Sequence, residues 1–210
     1  LTKALNAHAI ESMRGHIAEI ADGLLDQMAD NPEFDLIADF ASPLPIIVIA
    51  EMLGIDPTDR ADFRRWSLGL NQGFSPAKTP EILSAMATNR TELRAYLATA
   101  IEARRAAPRK DLISAMIAAE SDGDRMTSLE IVVMCELLLL AGNLTTTDLI
   151  GNGVHALMQN PSELAKLRAR PELIGAAVEE TLRRDPPVPT SARVSLDETI
   201  IDGVAIPPGS

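Results

Sequence analysis

The feature that most constrains the fold is a stretch of about thirty residues that no strong helix breaker interrupts. It begins at Thr127-Ser128-Leu129-Glu130, a capping box in which a hydroxyl residue precedes a Glu by three positions, directly before an apolar run. It ends at Asn160-Pro161. At 1.5 Å per residue such a helix is about 45–50 Å long. It would cross a whole globular domain, and we expect the other elements to pack around it.

The rest of the chain also favours helices. Ala, Leu, Ile and Met are abundant, aromatic residues make up 3%, and apolar residues recur at helical spacing. We predict further helices at residues 6–28, 46–53, 81–105, 111–120 and 171–184, one with Phe63, Trp66 and Leu70 on a single face, and one that Asn160 caps and Pro161 begins. A short extended piece is predicted at residues 34–37, and a mobile loop at residues 71–80.

One region has the pattern of β structure. Val194, Ile200, Ile201, Val204 and Ile206 surround Asp202-Gly203, a dipeptide typical of a tight hairpin turn. We predict that this hairpin is the only clear β region. The fold class is therefore mainly α, with a long central helix and a small β hairpin near the C-terminus.

Charge and cysteine content exclude several classes of protein. The net charge is −11, and no run of Lys and Arg is long enough to follow a phosphate backbone, so a nucleic acid or an anionic membrane surface is an unlikely partner. The longest apolar stretch, Ile131–Gly142, contains Glu136 and is shorter than the roughly 20 residues of a membrane span. The single cysteine, Cys135, excludes a disulfide framework and favours a cytoplasmic location.

The centre of the long helix carries an unusual segment, Ala141-Gly142-Asn143-Leu144-Thr145-Thr146-Thr147. Glycine inside a helix costs about 1 kcal/mol relative to alanine, and the threonines add a smaller penalty. Ala141 and Thr145 are four residues apart and share a face, so a small side chain beside a hydroxyl forms a notch that a flat ligand could approach. The alternative is a buried kink whose threonine hydroxyls bond back to carbonyls one turn earlier.

Two further patterns follow downstream. Glu180 and Arg183 stand three residues apart on a predicted helix, which by itself is typical of a solvated surface pair. Asp185-Pro186-Pro187-Val188-Pro189 fixes an extended path, and Arg193 follows in a strand-like stretch. Arg193 is either an exposed strand residue or the partner of a buried carboxylate.

The order of these motifs resembles the cytochrome P-450 family, particularly its soluble bacterial type. The family's small-Gly-x-acid-Thr-Thr pattern falls on residues 141–146, its Glu-x-x-Arg pattern on Glu180 and Arg183, and its propionate-binding arginine on Arg193. Residues 40–54 and 111–123 are similar to two further segments of the family. Because the family's glycine-flanked heme-binding Cys loop is absent, we expect residues 1–210 to be a single partial domain, a fragment truncated at both ends.

The resemblance implies a heme-dependent monooxygenase that inserts one oxygen atom from O2 into a small or medium apolar substrate. Electrons from NAD(P)H would arrive through a ferredoxin-type or flavoprotein donor. Glu180 and Arg183 would be structural, and no metal ligand lies in this chain. The expected catalytic residues are Thr145, Asn143 and Thr146, the heme-binding residues Ala141, Gly142, Thr145, Val188 and Arg193, and the substrate-binding residues Leu137, Leu138, Ala141, Val188 and Thr190.

One departure from the family's pattern is chemical. Leu144 stands where the family has an acid that feeds protons to the reaction, and leucine cannot transfer a proton. We therefore expect an unusual proton route and some release of peroxide. The alternative function is a non-catalytic all-α ligand-binding module, and a third expectation, compatible with the first, is that this chain alone is inactive. Cys135 and the His-x-x-Glu pairs at His8 and His16 are poor candidates for metal ligands.

Overall fold

The computed structural model describes residues 7–29, 31, 33–74, 79–121, 124–191 and 193–210. Over these ranges the chain is mainly α-helical with a hairpin near the C-terminus, which confirms the predicted fold class. The α-helices are α1 (Ala7–Ala29), α2 (Pro43–Leu53), α3 (Arg60–Asn71), α4 (Pro80–Ala106), α5 (Leu112–Ala118), α6 (Ser128–Gln159), α7 (Pro161–Ala169) and α8 (Ile174–Arg184).

Helix α6 has 32 residues and lies at the centre of the fold. The capping box is formed as predicted: the Thr127 hydroxyl accepts from the backbone N–H of Glu130, and the Glu130 carboxylate accepts from that of Thr127. Helices α2, α3, α4 and α5 pack against α6. Their apolar faces enclose one core, whose fully buried members include Leu53, Phe63, Leu93, Leu97, Ile101, Ile113, Met116, Ile131 and Leu139.

Two local predictions before α2 and α6 are wrong. Residues 34–37 are not extended throughout: Asp35 has an extended backbone, but a π-helix (Leu36–Ala41) begins directly after it, where the Asp35 carboxylate accepts from the N–H groups of Ile37 and Ala38. The predicted hairpin is not the only β region either. Strands β1 (Glu120–Ser121) and β2 (Asp124–Arg125) form a short antiparallel pair after α5, which therefore ends at Ala118, before the predicted Glu120.

Two further predicted boundaries carry a short 3-10 turn. In the predicted loop, α3 continues to Asn71 and a 3-10 turn covers Gln72–Phe74, while residues 75–78 lie outside the described ranges. Another 3-10 turn, Pro171–Leu173, precedes α8. Asn160 precedes α7, but its side chain does not cap that helix; its amide donates to the carbonyl oxygen of Ala156 in α6, at 2.8 Å.

The C-terminal hairpin is formed by β3 (Thr199–Ile201) and β4 (Val204–Ile206), with Ile200 opposite Ala205. Its turn, Asp202-Gly203, has positive φ at both positions (49° and 79°), the conformation that a two-residue hairpin loop requires. Among the described residues after Thr147, none is fully buried. The hairpin and α7–α8 therefore project from the core.

Two segments, residues 36–53 and 128–159, are long and apolar enough to cross a membrane by length and composition. The first is divided between the π-helix and α2. The second contains Glu136, which is paired with two arginines, and the hydrogen-bonded Asn143 and Thr147, all buried against neighbouring helices. We therefore interpret both segments as core elements of a globular fold.

Candidate active site

The notch predicted in the middle of α6 opens onto an uncovered face of that helix. Val133, Leu137 and Ala141 follow one another at four-residue intervals and are all exposed, Leu137 by 52%. Thr145 continues the row and is half-buried. An apolar row of this kind on the longest helix is an accessible surface for a ligand.

Thr145 and Ala141 are joined by a hydrogen bond. The Thr145 hydroxyl donates to the carbonyl oxygen of Ala141, one turn earlier. This is the back-bond of the buried-kink interpretation, but Ala141 itself is exposed. The notch is therefore present as predicted, and its hydroxyl lies at the edge of the open face.

Gly142 faces another helix. A Cβ added at Gly142 would lie 2.9 Å from Cδ1 of Ile49 in α2, closer than real Cβ atoms approach other atoms. The glycine therefore allows α6 to pack closely on α2. The vacant side-chain position points into the helix–helix contact, and a contact of Gly142 with heme remains a prediction.

Asn143 is also directed away from the open face. It is 1% exposed, and its amide nitrogen donates to the Ser67 hydroxyl in α3, at 2.8 Å. The Thr147 hydroxyl, one turn later, donates to the carbonyl oxygen of Ala41 at 3.1 Å. The side chain of Asn143 is engaged in the core at this position, and its role in proton delivery remains a prediction. Asn143 joins α6 to α3, with Thr147 joining α6 to the π-helix.

Three other predicted residues of α6 are intermediate in exposure. Leu138 packs partly against the core, and Leu144 and Thr146 are half-buried. Of the residues predicted to contact heme or substrate, α6 thus places Leu137, Ala141 and Thr145 on its open face.

Glu180 and Arg183 pair with each other at the surface. Both guanidinium contacts to the carboxylate are 2.7 Å, and both side chains are exposed. The hydrogen bond from Arg183 lowers the pKa of the Glu180 carboxyl. The family resemblance leads one to expect a buried pair, but no described residue covers it. Its structural role remains a prediction.

The segment after α8 returns to α6 at one point. The Asn152 amide donates to the carbonyl oxygen of Asp185 at 3.0 Å, which fixes the start of the Pro-rich stretch beside the C-terminal half of α6. Val188 and Thr190 lie further along and are exposed. Arg193 donates to the hydroxyl of Ser191 in the same segment. Contacts of these three residues with a ligand remain predictions.

The titratable side chains do not form a metal centre within the described ranges. No group of three His, Cys, Asp or Glu side chains there is arranged to hold an ion. His16 contacts the carboxylates of Glu19 and Glu51, which raise its pKa, and Glu11 binds Arg14. The side chain of His8 lies outside the described part of the chain. Cys135 is buried in the core, and burial raises the pKa of its thiol to about 12.

Sequence reasoning missed the partners of Glu136. This buried carboxylate of α6 binds Arg94 of α4 at 2.6 and 2.7 Å and Arg90 at 3.3 Å. Burial alone would raise the pKa of Glu136, but the two arginines outweigh it and lower the pKa. The sequence did offer a signal for this ion pair. It has a charged residue inside an apolar run and two arginines one helical turn apart on another helix.

The residues of the open face fit one side of a flat apolar ring such as heme. Ala141 is small and exposed, Leu137 adds apolar surface, and Thr145 offers a hydroxyl at the edge. Cys135, the only cysteine of the chain, is buried in the core and does not lie on this open face.

Over its whole length the chain is similar to known proteins. No protein-family model matches it. It is 41% identical over 210 residues to cytochrome P450 107B1 of Saccharopolyspora erythraea, covering all of this chain and 50% of that protein. It is 40% identical to cytochrome P450 monooxygenase PikC of Streptomyces venezuelae, covering 95% of this chain and 47% of that protein.

The structural comparison also finds cytochrome P450 proteins. The ligand-free structure of cytochrome P450 TbtJ1 superposes with a TM-score of 0.89 and 44% sequence identity, over 99% of this chain and 55% of that one. The chain thus spans about half the length of the curated relatives it matches.

Proposed function

The chain belongs to the cytochrome P450 family, and from this premise we propose that it supplies the oxygen-binding side of a heme-dependent monooxygenase. The observation that carries the proposal is the uncovered face of α6, where Ala141 leaves room for a flat ring and Thr145 holds a hydroxyl beside it. The overall reaction would be RH + O2 + 2 e⁻ + 2 H⁺ → ROH + H2O. Bound heme would supply the oxygen chemistry.

The residues of this chain would bind the ring and the substrate, orient them and exclude water. Leu137, Leu138 and Ala141 would offer apolar contacts to ring and substrate. Thr145 would orient dioxygen and pass protons to it through its hydroxyl. In the segment after α8, we propose that Val188 and Thr190 line the substrate space and that Arg193 binds a carboxylate of the ring.

The axial ligand of the iron would come from outside these 210 residues. Cys135 is the only cysteine of the chain, and it is enclosed by the core with its thiol protonated. A thiolate is needed to ligate iron, and a thiol in apolar surroundings is inert. We therefore propose that these residues form part of one domain and do not catalyse oxygenation by themselves.

The substrate we propose is a small or medium apolar molecule, because Leu137 and Ala141 offer only apolar contacts on the open face. Electrons would come from NAD(P)H through a ferredoxin-type or flavoprotein donor. The single cysteine favours a cytoplasmic location. The substrate class and the electron donor can be tested by assaying the intact enzyme.

The first experiment tests heme binding. The intact protein that contains this chain is loaded with heme, reduced and exposed to carbon monoxide. The Soret band of a thiolate-ligated carbonyl complex is expected. If the loaded protein shows no such band, the monooxygenase proposal fails and the ligand-binding module becomes the better interpretation.

The second experiment tests Thr145. In the intact enzyme, Thr145→Ala should lower product formation by on the order of 10²-fold while NAD(P)H consumption falls much less, because the hydroxyl that directs protons is removed. Thr99→Ala is the matched control, since Thr99 makes the same hydroxyl bond to the carbonyl one turn earlier, in α4. Equal product yields in both variants would remove Thr145 from the mechanism.

A further inference from the structure

Asp148 is a half-buried acidic residue of α6 whose side chain takes part in none of the contacts described above. Within the described part of the chain, no hydrogen-bond donor or cation engages it. Burial raises the pKa of Asp148. A partly buried acid without a partner costs stability, because it loses hydration without gaining a bond, and such groups tend to mark functional positions.

The position of Asp148 on the helix connects it to the notch. It follows Thr145 by three residues and Leu144 by four, so all three side chains share a face. It also follows Ala141 by seven residues, two turns along the same face. Helical side chains lean toward the N-terminus, so the carboxylate of Asp148 covers the turn that contains Leu144 and Thr145.

One turn later, the chain that leaves α8 crosses this face of α6. Asn152 follows Asp148 by four residues, and its amide holds the carbonyl oxygen of Asp185, where the chain leaves α8. Asp148 therefore lies between the hydroxyl of Thr145 on one side and the crossing of the Pro-rich segment on the other. Asp148 is half-buried, so part of the residue is accessible to water.

We propose that Asp148 delivers protons to Thr145 and so replaces the acid that Leu144 lacks. The inference rests on the proposed monooxygenase function. In each event the Asp148 carboxylic acid gives one proton to the Thr145 hydroxyl or to a water beside it, Thr145 passes one proton on, and solvent returns one proton to Asp148. No electron moves and no covalent bond to carbon forms. Asp148 acts through Thr145 and is a positioning and relay residue.

The decisive variant is Asp148→Asn in the intact, heme-loaded enzyme. An amide keeps the shape of the side chain but cannot deliver protons. Product formation should fall by on the order of 10²-fold, with the substrate KM little changed, and released hydrogen peroxide (O2 + 2 e⁻ + 2 H⁺ → H2O2) should account for most of the NAD(P)H consumed. Asp26→Asn, at an exposed acid of α1, is the matched control and should change neither quantity.

Two rescue variants separate proton delivery from a structural role. Asp148→Glu should keep most of the product yield because it retains the acid. The double variant Leu144→Asp with Asp148→Asn should regain product, since the acid moves one turn toward the notch. Rescue by neither variant would overturn the inference.

A readout without turnover uses infrared spectra of protein labelled with ¹³C-aspartate, both heme-free and heme-loaded. One protonated aspartic acid band should persist to a higher pH than the bands of the exposed aspartic acids, because burial raises the pKa of Asp148, and it should disappear in Asp148→Glu. Absence of the band in the parent protein would contradict the inference even if Asp148→Asn did not fold. If Asp148→Asn gives a normal spectrum of the carbon monoxide complex and unchanged peroxide release, the proton relay is ruled out and the monooxygenase proposal is unaffected.

Discussion

The two ends of α6 lie in different surroundings. Its N-terminal half, up to Thr147, packs against α2, α3, α4 and α5 and contributes Ile131, Cys135 and Leu139 to the core. Its C-terminal half contacts α7 and α8, where no described residue is fully buried and Leu196, ahead of the hairpin, is 88% exposed. The elements of the second region thus carry recognisable local signals, whereas the core of the first region is built from partners distant in sequence.

The ion pairs of the two regions should differ most. Arg104 and Asp111 are 4% and 3% exposed and 3.0 Å apart, so Asp111→Ala would leave a buried guanidinium without its counter-ion and α5 without its cap. We expect a loss of about 3–5 kcal/mol in the free energy of unfolding, measured in urea. Glu180→Ala, at the exposed pair, should change it by no more than the measurement error. Equal effects would contradict the distinction between the regions.

This pair also predicts an acid dependence. Burial would raise the pKa of Asp111, but hydrogen bonds from Ser114 and Arg104 outweigh it, and the pKa is lowered. A carboxylate with a lowered folded-state pKa stabilises the protein above its unfolded pKa, about 3.9, and that contribution is lost as the pH falls through the folded value. Asp111→Asn should therefore flatten the loss of stability below about pH 4.

The second comparison concerns apolar side chains. Leu97→Ala in the core should cost about 2–5 kcal/mol, because a fully buried side chain is removed and a cavity remains. Ile200→Ala on the hairpin should cost less than about 0.5 kcal/mol, since that side chain is exposed. A large effect at Ile200, seen by the same urea titration, would show that a surface packs on the hairpin.

The third comparison concerns amide hydrogen bonds. Ser67→Ala would leave the buried amide of Asn143 unsatisfied and should cost about 1–3 kcal/mol. Asn152→Ala removes a bond to Asp185 at the surface, where water can replace it, and should cost less than about 1 kcal/mol. Thermal unfolding of both variants measures the difference, and a reversed order would refute it.

The smallest effect is expected at the other edge of the packed region, where α1 meets α2. Contacts with Glu51 and Glu19 raise the pKa of His16. A raised folded-state pKa gives stability that is complete below the unfolded pKa, about 6.5, and is lost as the pH rises through the folded value. The free energy of unfolding should therefore decline slightly above neutral pH. His16→Gln should remove this decline of the free energy of unfolding and leave the loss of stability below about pH 4 unchanged.

The sequence predicted where the helices and the hairpin lie better than it predicted which side of each helix faces the core. The capping box at Thr127, the breaker Gly54 and the Asp202-Gly203 turn are local signals, and the structure confirms each. The sides of α6 were harder, because its core-facing and open residues alternate within one segment. Asn143 was predicted to serve the site but bonds to Ser67, 76 residues away in the chain, a contact that no local pattern reveals.

The back-bond of Thr145 has a consequence for how a ligand is received. A helical threonine populates two χ1 rotamers, one of which places its hydroxyl on the preceding turn. The observed rotamer satisfies the hydroxyl internally, so engaging an incoming molecule exchanges one acceptor for another at a cost of about 1 kcal/mol. The released carbonyl of Ala141 then becomes free to hold a water, and ligand arrival and local hydration change together.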